Sequence, residues 1–179
     1  ETAVTRVIEA NFINKVVPDL GLVVTLWDIK SISGGQIYPN DGNVNYKVTF
    51  RLVIFRPFEG EVIVGRLVRS DREGVGVSLG FFSDIFVPEI NLQSPSRFHV
   101  AEQTWVWEYD SAELFLDLQD TVRVRVKEVR FNPIPTPAQM RGSATEPAIG
   151  TDASPFRPME VIADMNADGL GSVGWWQPE

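Results

Sequence analysis

Residues 2 to 13 place Val4, Val7, Ile8 and Phe12 at spacings of three and four, the mark of one apolar face on a short helix. The period then changes to two. Leu20 to Ile29 reads as a strand, and Tyr46 to Phe55 as another, with Val48, Phe50, Leu52 and Ile54 alternating against Lys47, Thr49 and Arg51. Between them, Ser33-Gly34-Gly35 and Pro39-Asn40-Asp41-Gly42 carry turn chemistry. These elements predict a small α+β unit over residues 1–57, closed near Arg56-Pro57-Phe58 because Pro57 cannot continue the middle of a sheet.

A strand-rich unit is predicted over residues 58–179. Val62 to Val68 is its first strand, Asp71-Arg72-Glu73-Gly74 a turn, Val75 to Phe81 a second strand and Ile85 to Val87 a third, ended by Pro88. Short strands separated by turns point to a small barrel or sandwich. Residues 91–119 break this rhythm, and the aromatics of Thr104-Trp105-Val106-Trp107-Glu108-Tyr109 mark them as an ordered insertion that packs. Thr121 to Lys127 then alternates cleanly: Val122, Val124 and Val126 form an apolar face, and Arg123, Arg125 and Lys127 a cationic one. Residues 132–158 are rich in Pro, Ala, Thr and Ser and bury too little to offset their ordering entropy, which predicts a mobile loop. Met159 to Ala163, a turn at Asn166-Ala167-Asp168-Gly169 and the segment ending Trp175-Trp176 read as a last hairpin.

Composition narrows the possible functions. With 44% hydrophobic residues, five tryptophans and 22% charged residues, the chain has material for packed cores. It has no cysteine, which removes disulfides and thiolate metal sites. No apolar run approaches the ~20 residues of a membrane-spanning helix, so no membrane partner is expected. A net charge of -8 argues against tight, phosphate-driven binding to nucleic acid, and any such role must rest on a local patch. The chain starts without Met inside a helical pattern, and an N-terminal piece is expected to be absent.

Catalytic chemistry is poorly supported. The single histidine, His99, falls in the insertion, and Ser83-Asp84 has no base nearby in sequence. Asp164-Met165-Asn166-Ala167-Asp168-Gly169 opens like a calcium loop, but Trp175 stands where the twelfth-position glutamate belongs, so a plain turn is expected. Gly74, Gly76 and Gly80 lie in a strand pattern rather than before a helix; they are read as sites of close backbone approach, not a phosphate loop. The cationic ridge is more specific, because i, i+2 and i+4 of one strand share a face. Arg66 and Arg69 extend it, and Phe86 with Phe81-Phe82 offers rings of the kind on which single-stranded nucleic acid stacks. On the residues alone, RNA contact and protein contact fit this ridge equally.

Residues 58–131 with 159–176 resemble an OB-fold barrel. Glu61-Val62-Ile63-Val64-Gly65-Arg66-Leu67-Val68 is similar to its first strand, Ile85-Phe86-Val87-Pro88 to its third and Leu118 to Val126 to its fourth. The second strand departs from the family by carrying Gly76 where an aromatic is usual. Along nearly its full length the chain resembles the larger stalk subunits of RNA polymerase III. The strings are Asn14-Lys15-Val16-Val17, Val53-Ile54-Phe55-Arg56-Pro57-Phe58, Val77 to Ile85, Ala101 to Tyr109 and Gly169 to Trp176.

That resemblance implies a nuclear, non-catalytic polymerase subunit acting in transcription initiation, with no cofactor and no metal of its own. Residues 1–57 would be a tip domain docking on the polymerase core through Pro39, Asp41 and Gly42, lacking the family's leading strand ahead of Glu1. Pro57, Phe58, Trp105 and Trp107 are expected at partner surfaces, which include a smaller helical stalk subunit and initiation factors. Emerging single-stranded RNA is expected on Arg66, Arg69, Phe86, Arg123, Arg125 and Lys127. The runner-up expectation makes the barrel mainly a docking platform for initiation factors.

Overall fold

The computed structural model describes residues 2–37, 44–133 and 156–176. The chain divides into two compact units, Glu1–Arg56 and Pro57–Glu179. The fold is α+β, with a helix and a small sheet first and a closed five-stranded barrel after them.

The first unit contains helix α1 (Thr2–Phe12) and strands β1 (Val16–Val17), β2 (Gly21–Ile37) and β3 (Val44–Phe55), ordered β1-β2-β3. Ile8 is buried, and the Phe12 ring sits 5.5 Å from Phe50, so the i, i+4 row meets the sheet. Val7, expected on the same face, is 60% exposed. It lies off the row of Val4, Ile8 and Phe12, of which Ile8 is buried and Val4 half-buried.

The expected turn at Ser33-Gly34-Gly35 is instead continuous strand within β2. Gly34 and Gly35 have φ of 96° and 118°, and the register with β3 shifts between Gly34 and Gln36. A bulge uses the same left-handed backbone that a glycine turn uses, so the glycines bend the ribbon without reversing it. The turn expected at Pro39 to Gly42 lies outside the described residues.

The second unit runs β4 (Val62–Asp71), β5 (Gly74–Ser78), β6 (Ile85–Pro88), β7 (Ser96–His99), β8 (Thr104–Tyr109), β9 (Ala112–Leu116), β10 (Thr121–Phe131), β11 (Met159–Asp164) and β12 (Gly171–Ser172). Antiparallel pairing links β4 to β5, β5 to β6, β11 to β10 and β10 back to β4. A parallel pair between β6 and β11 closes the ring, giving an OB-type barrel. Alternate residues then face a shared interior, where Leu67, Val75, Val77, Val87, Val122, Val124 and Val161 are fully buried.

The insertion forms its own sheet, ordered β7-β8-β9. The C-terminal segment is not the expected hairpin. β11 and β12 both lie antiparallel along β10 rather than against each other, because Arg125 pairs with Asp164 and Arg123 with Gly171. The chain leaves β10 after Asp164 and returns to the same edge. The second barrel strand is also shorter than expected, ending at Ser78 and leaving Phe81 on an exposed loop.

Candidate nucleic-acid interface

The cationic face of β10 follows from its alternation, but each cation on it has a partner. The Arg125 guanidinium is ion-paired with the Asp164 carboxylate on β11. Lys127 donates from Nζ to Asn91 Oδ1 at 2.9 Å, and Arg123 reaches the Gly169 carbonyl at 3.5 Å. Arg125 is therefore neutralised, while Arg123 and Lys127 face neutral oxygens and keep their charge available. Asp164, the first residue of the calcium-like string, is held by Arg125 and accepts the Asn166 N–H at 2.7 Å, which is turn bonding.

A β-bulge between Val126 and Glu128 shifts the register of β10 against β11. Beyond it the strand continues to Phe131, and Lys127 and Arg130 both line an open groove of about 720 Å³. Phe86, Ile90, Ile162 and Glu160 line it as well. Arg130 and Ile90 were missed from the sequence. The clue to Arg130 is the spacing of three between Val126 and Val129, which breaks a period of two and marks a bulge.

Phe86 stands opposite both Gly76 on β5 and Ile162 on β11. Arg69 is the partner of Gly76 on the other side, and its guanidinium lies over the Phe86 ring, 5.4 Å from the centroid. Glycine eases this arrangement: a Cβ at residue 76 would stand 3.1 Å from Arg69 Cβ, a tight contact that Arg69 would have to yield to. Arg69 and Phe86 thus make a cation–π contact across the position where the second strand lacks an aromatic. Arg69 is also ion-paired with Asp71 at 2.8 Å.

Acid surrounds the groove. Glu59, Glu128 and Glu160 line it. The hydrogen bond from Arg130 holds the Glu128 carboxyl below its ordinary range, so that residue is firmly ionised. Arg157 bridges Glu160 at 3.4 Å and Asp84 at 3.3 Å. Burial raises the Asp84 carboxyl, with Arg157 opposing the shift and Glu160 adding to it. Two cations facing three carboxylates make a surface suited to weak contact with phosphate.

The structure brings Arg69, Phe86 and Lys127 to one region and leaves Arg66 elsewhere. Arg66 lines a second pocket with Val64, Val68, Ser78, Gln119 and Thr121, and no residue is shared between that pocket and the groove. Among the residues expected at partner surfaces, Phe58 is 67% exposed and Pro57 is buried. Trp105 and Trp107 are buried inside the second unit instead of lying on its surface. Trp105 donates its indole N–H to the Asp71 carbonyl at 2.8 Å, and Trp107 packs against Trp175 with ring centroids 5.3 Å apart. They anchor the insertion to the barrel, which explains their abundance without any partner. Pro39, Asp41 and Gly42 lie outside the described residues.

Comparison with known proteins adds to this geometry. Residues 61–176 match the family model described as RNA polymerase III subunit Rpc25. Residues 1–42 match the SHS2 domain found in the N terminus of Rpb7p/Rpc25p/MJ0397. The chain is 38% identical to DNA-directed RNA polymerase III subunit RPC8 of Bos taurus, covering 91% of this chain and 81% of that protein. It is 34% identical to the subunit rpc8 of Schizosaccharomyces pombe, covering 98% and 88%. A more distant relative, the RNA polymerase II subunit RPB7 of Saccharomyces cerevisiae, is 29% identical over 59% of this chain and 60% of its own length.

Proposed function

Because the chain belongs to the RNA polymerase III subunit Rpc25 family, we propose that it is a non-catalytic stalk subunit acting in the nucleus whose barrel makes weak contact with emerging single-stranded RNA. The Arg69–Phe86 stack over Gly76, beside Lys127, carries this reading. A guanidinium plane backed by an aromatic ring offers a base a stacking surface, and the neighbouring ammonium meets phosphate. Arg125 is spent on Asp164 and adds little to this contact. The acids around the groove keep the contact reversible, which suits a strand that must keep moving. Transcription initiation, a smaller helical stalk subunit and the polymerase core complete the proposed setting, with residues 1–57 as the docking tip.

The test is the affinity of the two-subunit stalk for a fluorescent oligouridylate across a salt series. Replacing Arg69 and Lys127 with Ala is expected to weaken binding and to flatten the salt slope by about one unit, the charge of Lys127, because Arg69 is already paired with Asp71. Arg125→Ala alone is expected to change little. Unchanged affinity and slope in the double variant overturns the groove as an RNA site. Intact RNA affinity with lost initiation-factor binding favours the docking-platform reading instead.

A further inference from the structure

We propose that the outer face of β4 carries a docking pocket for an aliphatic protein segment flanked by carboxylates, distinct from the RNA groove. Ile63, Gly65 and Leu67 point into the barrel, so Val62, Val64, Arg66 and Val68 point out. Solvent-facing positions of a half-buried strand are ordinarily polar. Here Val62, Val64 and Val68 stay 53%, 54% and 42% exposed, an apolar stripe with nothing over it among the described residues.

In a chain with 24 acidic and 16 basic residues, about half of the described arginines hold a carboxylate. Arg69, Arg97, Arg125, Arg130 and Arg157 each hold at least one. The Arg66 side chain has no hydrogen-bond or ion-pair partner among the described residues. It borders an open pocket of about 500 Å³ lined by no carboxylate, where Ser78, Gln119 and Thr121 add neutral polar groups. Arg123 stands directly across from Val64 on β10 with only the Gly169 carbonyl for company, so a second cation flanks the same stripe.

These features select the ligand. A nucleic-acid backbone presents a phosphate at every nucleotide, and two guanidinium groups set among valines meet too few of them. An aliphatic side chain seated on Val64 and Val68, with an Asp or Glu beside it reaching Arg66, satisfies both the apolar surface and the unpaired charge.

The full chain is titrated with a labelled synthetic peptide of alternating Asp and Leu, and with a second peptide carrying Asn for each Asp. Saturable binding of the first is expected, weakened about tenfold by Arg66→Gln and about threefold by Val64→Thr. The Asn peptide is expected to bind at least tenfold more weakly, which reads the charge from the ligand side even if Arg66→Gln disturbs the fold. Replacing Arg69 and Lys127 with Ala is expected to leave peptide binding intact, separating this pocket from the groove. Equal binding by wild type and Arg66→Gln, or equal binding of both peptides, overturns the proposal. So does displacement of the peptide by oligouridylate, which would assign Arg66 to RNA.

Discussion

In the barrel, alternate side chains of β4, β5, β6, β10 and β11 meet across a closed interior, whereas the β2–β3 ribbon of the first unit has two faces and one short helix to cover them. Both regions are built from β-branched and aromatic residues at alternating positions. Their fates differ because closure removes both edges and one face of a sheet from water, and an open ribbon keeps them wet. Val75 and Val124 are fully buried, while Trp27 and Ile37 are 67% and 69% exposed. The ribbon is instead steadied by a bidentate pair in which Arg51 donates to Asp28 at 2.7 and 2.5 Å across the two strands. Apolar patterning therefore means self-sufficient packing in one unit and unspent surface in the other.

The comparison breaks first at the barrel interior. Leu67→Ala, at a fully buried position, is expected to cost about 3 kcal/mol and to lower the urea midpoint accordingly. A change below about 1 kcal/mol would mean the interior is looser than its burial implies. Asn91→Ala comes next, at about 1–2 kcal/mol. Its buried side chain donates to the Ala163 carbonyl at 3.1 Å and accepts from Lys127, and both partners lose a bond together.

Acid titration sharpens the contrast because Asp84 and Asp28 respond with opposite sign. Asp84 in the barrel unit is raised by burial, so the folded state holds its proton more tightly than the unfolded chain does. Its contribution is greatest below the ordinary carboxylate range and declines as pH climbs through the raised value. Asp28 in the ribbon is lowered by the Arg51 hydrogen bond, so its contribution is present above the ordinary range and is lost as pH falls. Asp84→Asn is expected to flatten the pH dependence of barrel unfolding just above the ordinary carboxylate range. Amide exchange resolved by residue checks both signs, and a slope unchanged by Asp84→Asn would remove that residue as its source.

Smallest of all is Trp27→Ala. At an exposed ribbon position it is expected to shift stability of the isolated chain by no more than about 0.5 kcal/mol, measured by the same urea melts. A cost approaching that of Leu67→Ala would show that the ribbon face is covered after all, and the contrast between the units would fail.

Much of the fold was legible because the signals are local. The helix over residues 2 to 13, the first barrel strand and the alternation of Val122, Val124 and Val126 all appear where periodicity placed them. Gly34 and Gly35 misled because positive φ serves a bulge as readily as a turn. Trp105 and Trp107 misled because large aromatics are as common in cores as on interfaces, and only packing against Asp71 and Trp175 distinguishes the two.

Residue order by itself determined the α+β pattern, the inward valines of β10, its cationic outer face and the polymerase-subunit family. The geometry of i and i+2 on one strand needs nothing beyond that strand. Tertiary structure decided which cations remain free. Asp164 reaches Arg125 only through the β10–β11 register, and Phe86 receives Arg69 only because β5 and β6 bring them together across Gly76. Electrostatic and stacking partners act over a few ångströms, so the strand pairing that sets those distances also sets which side chains are left for a ligand.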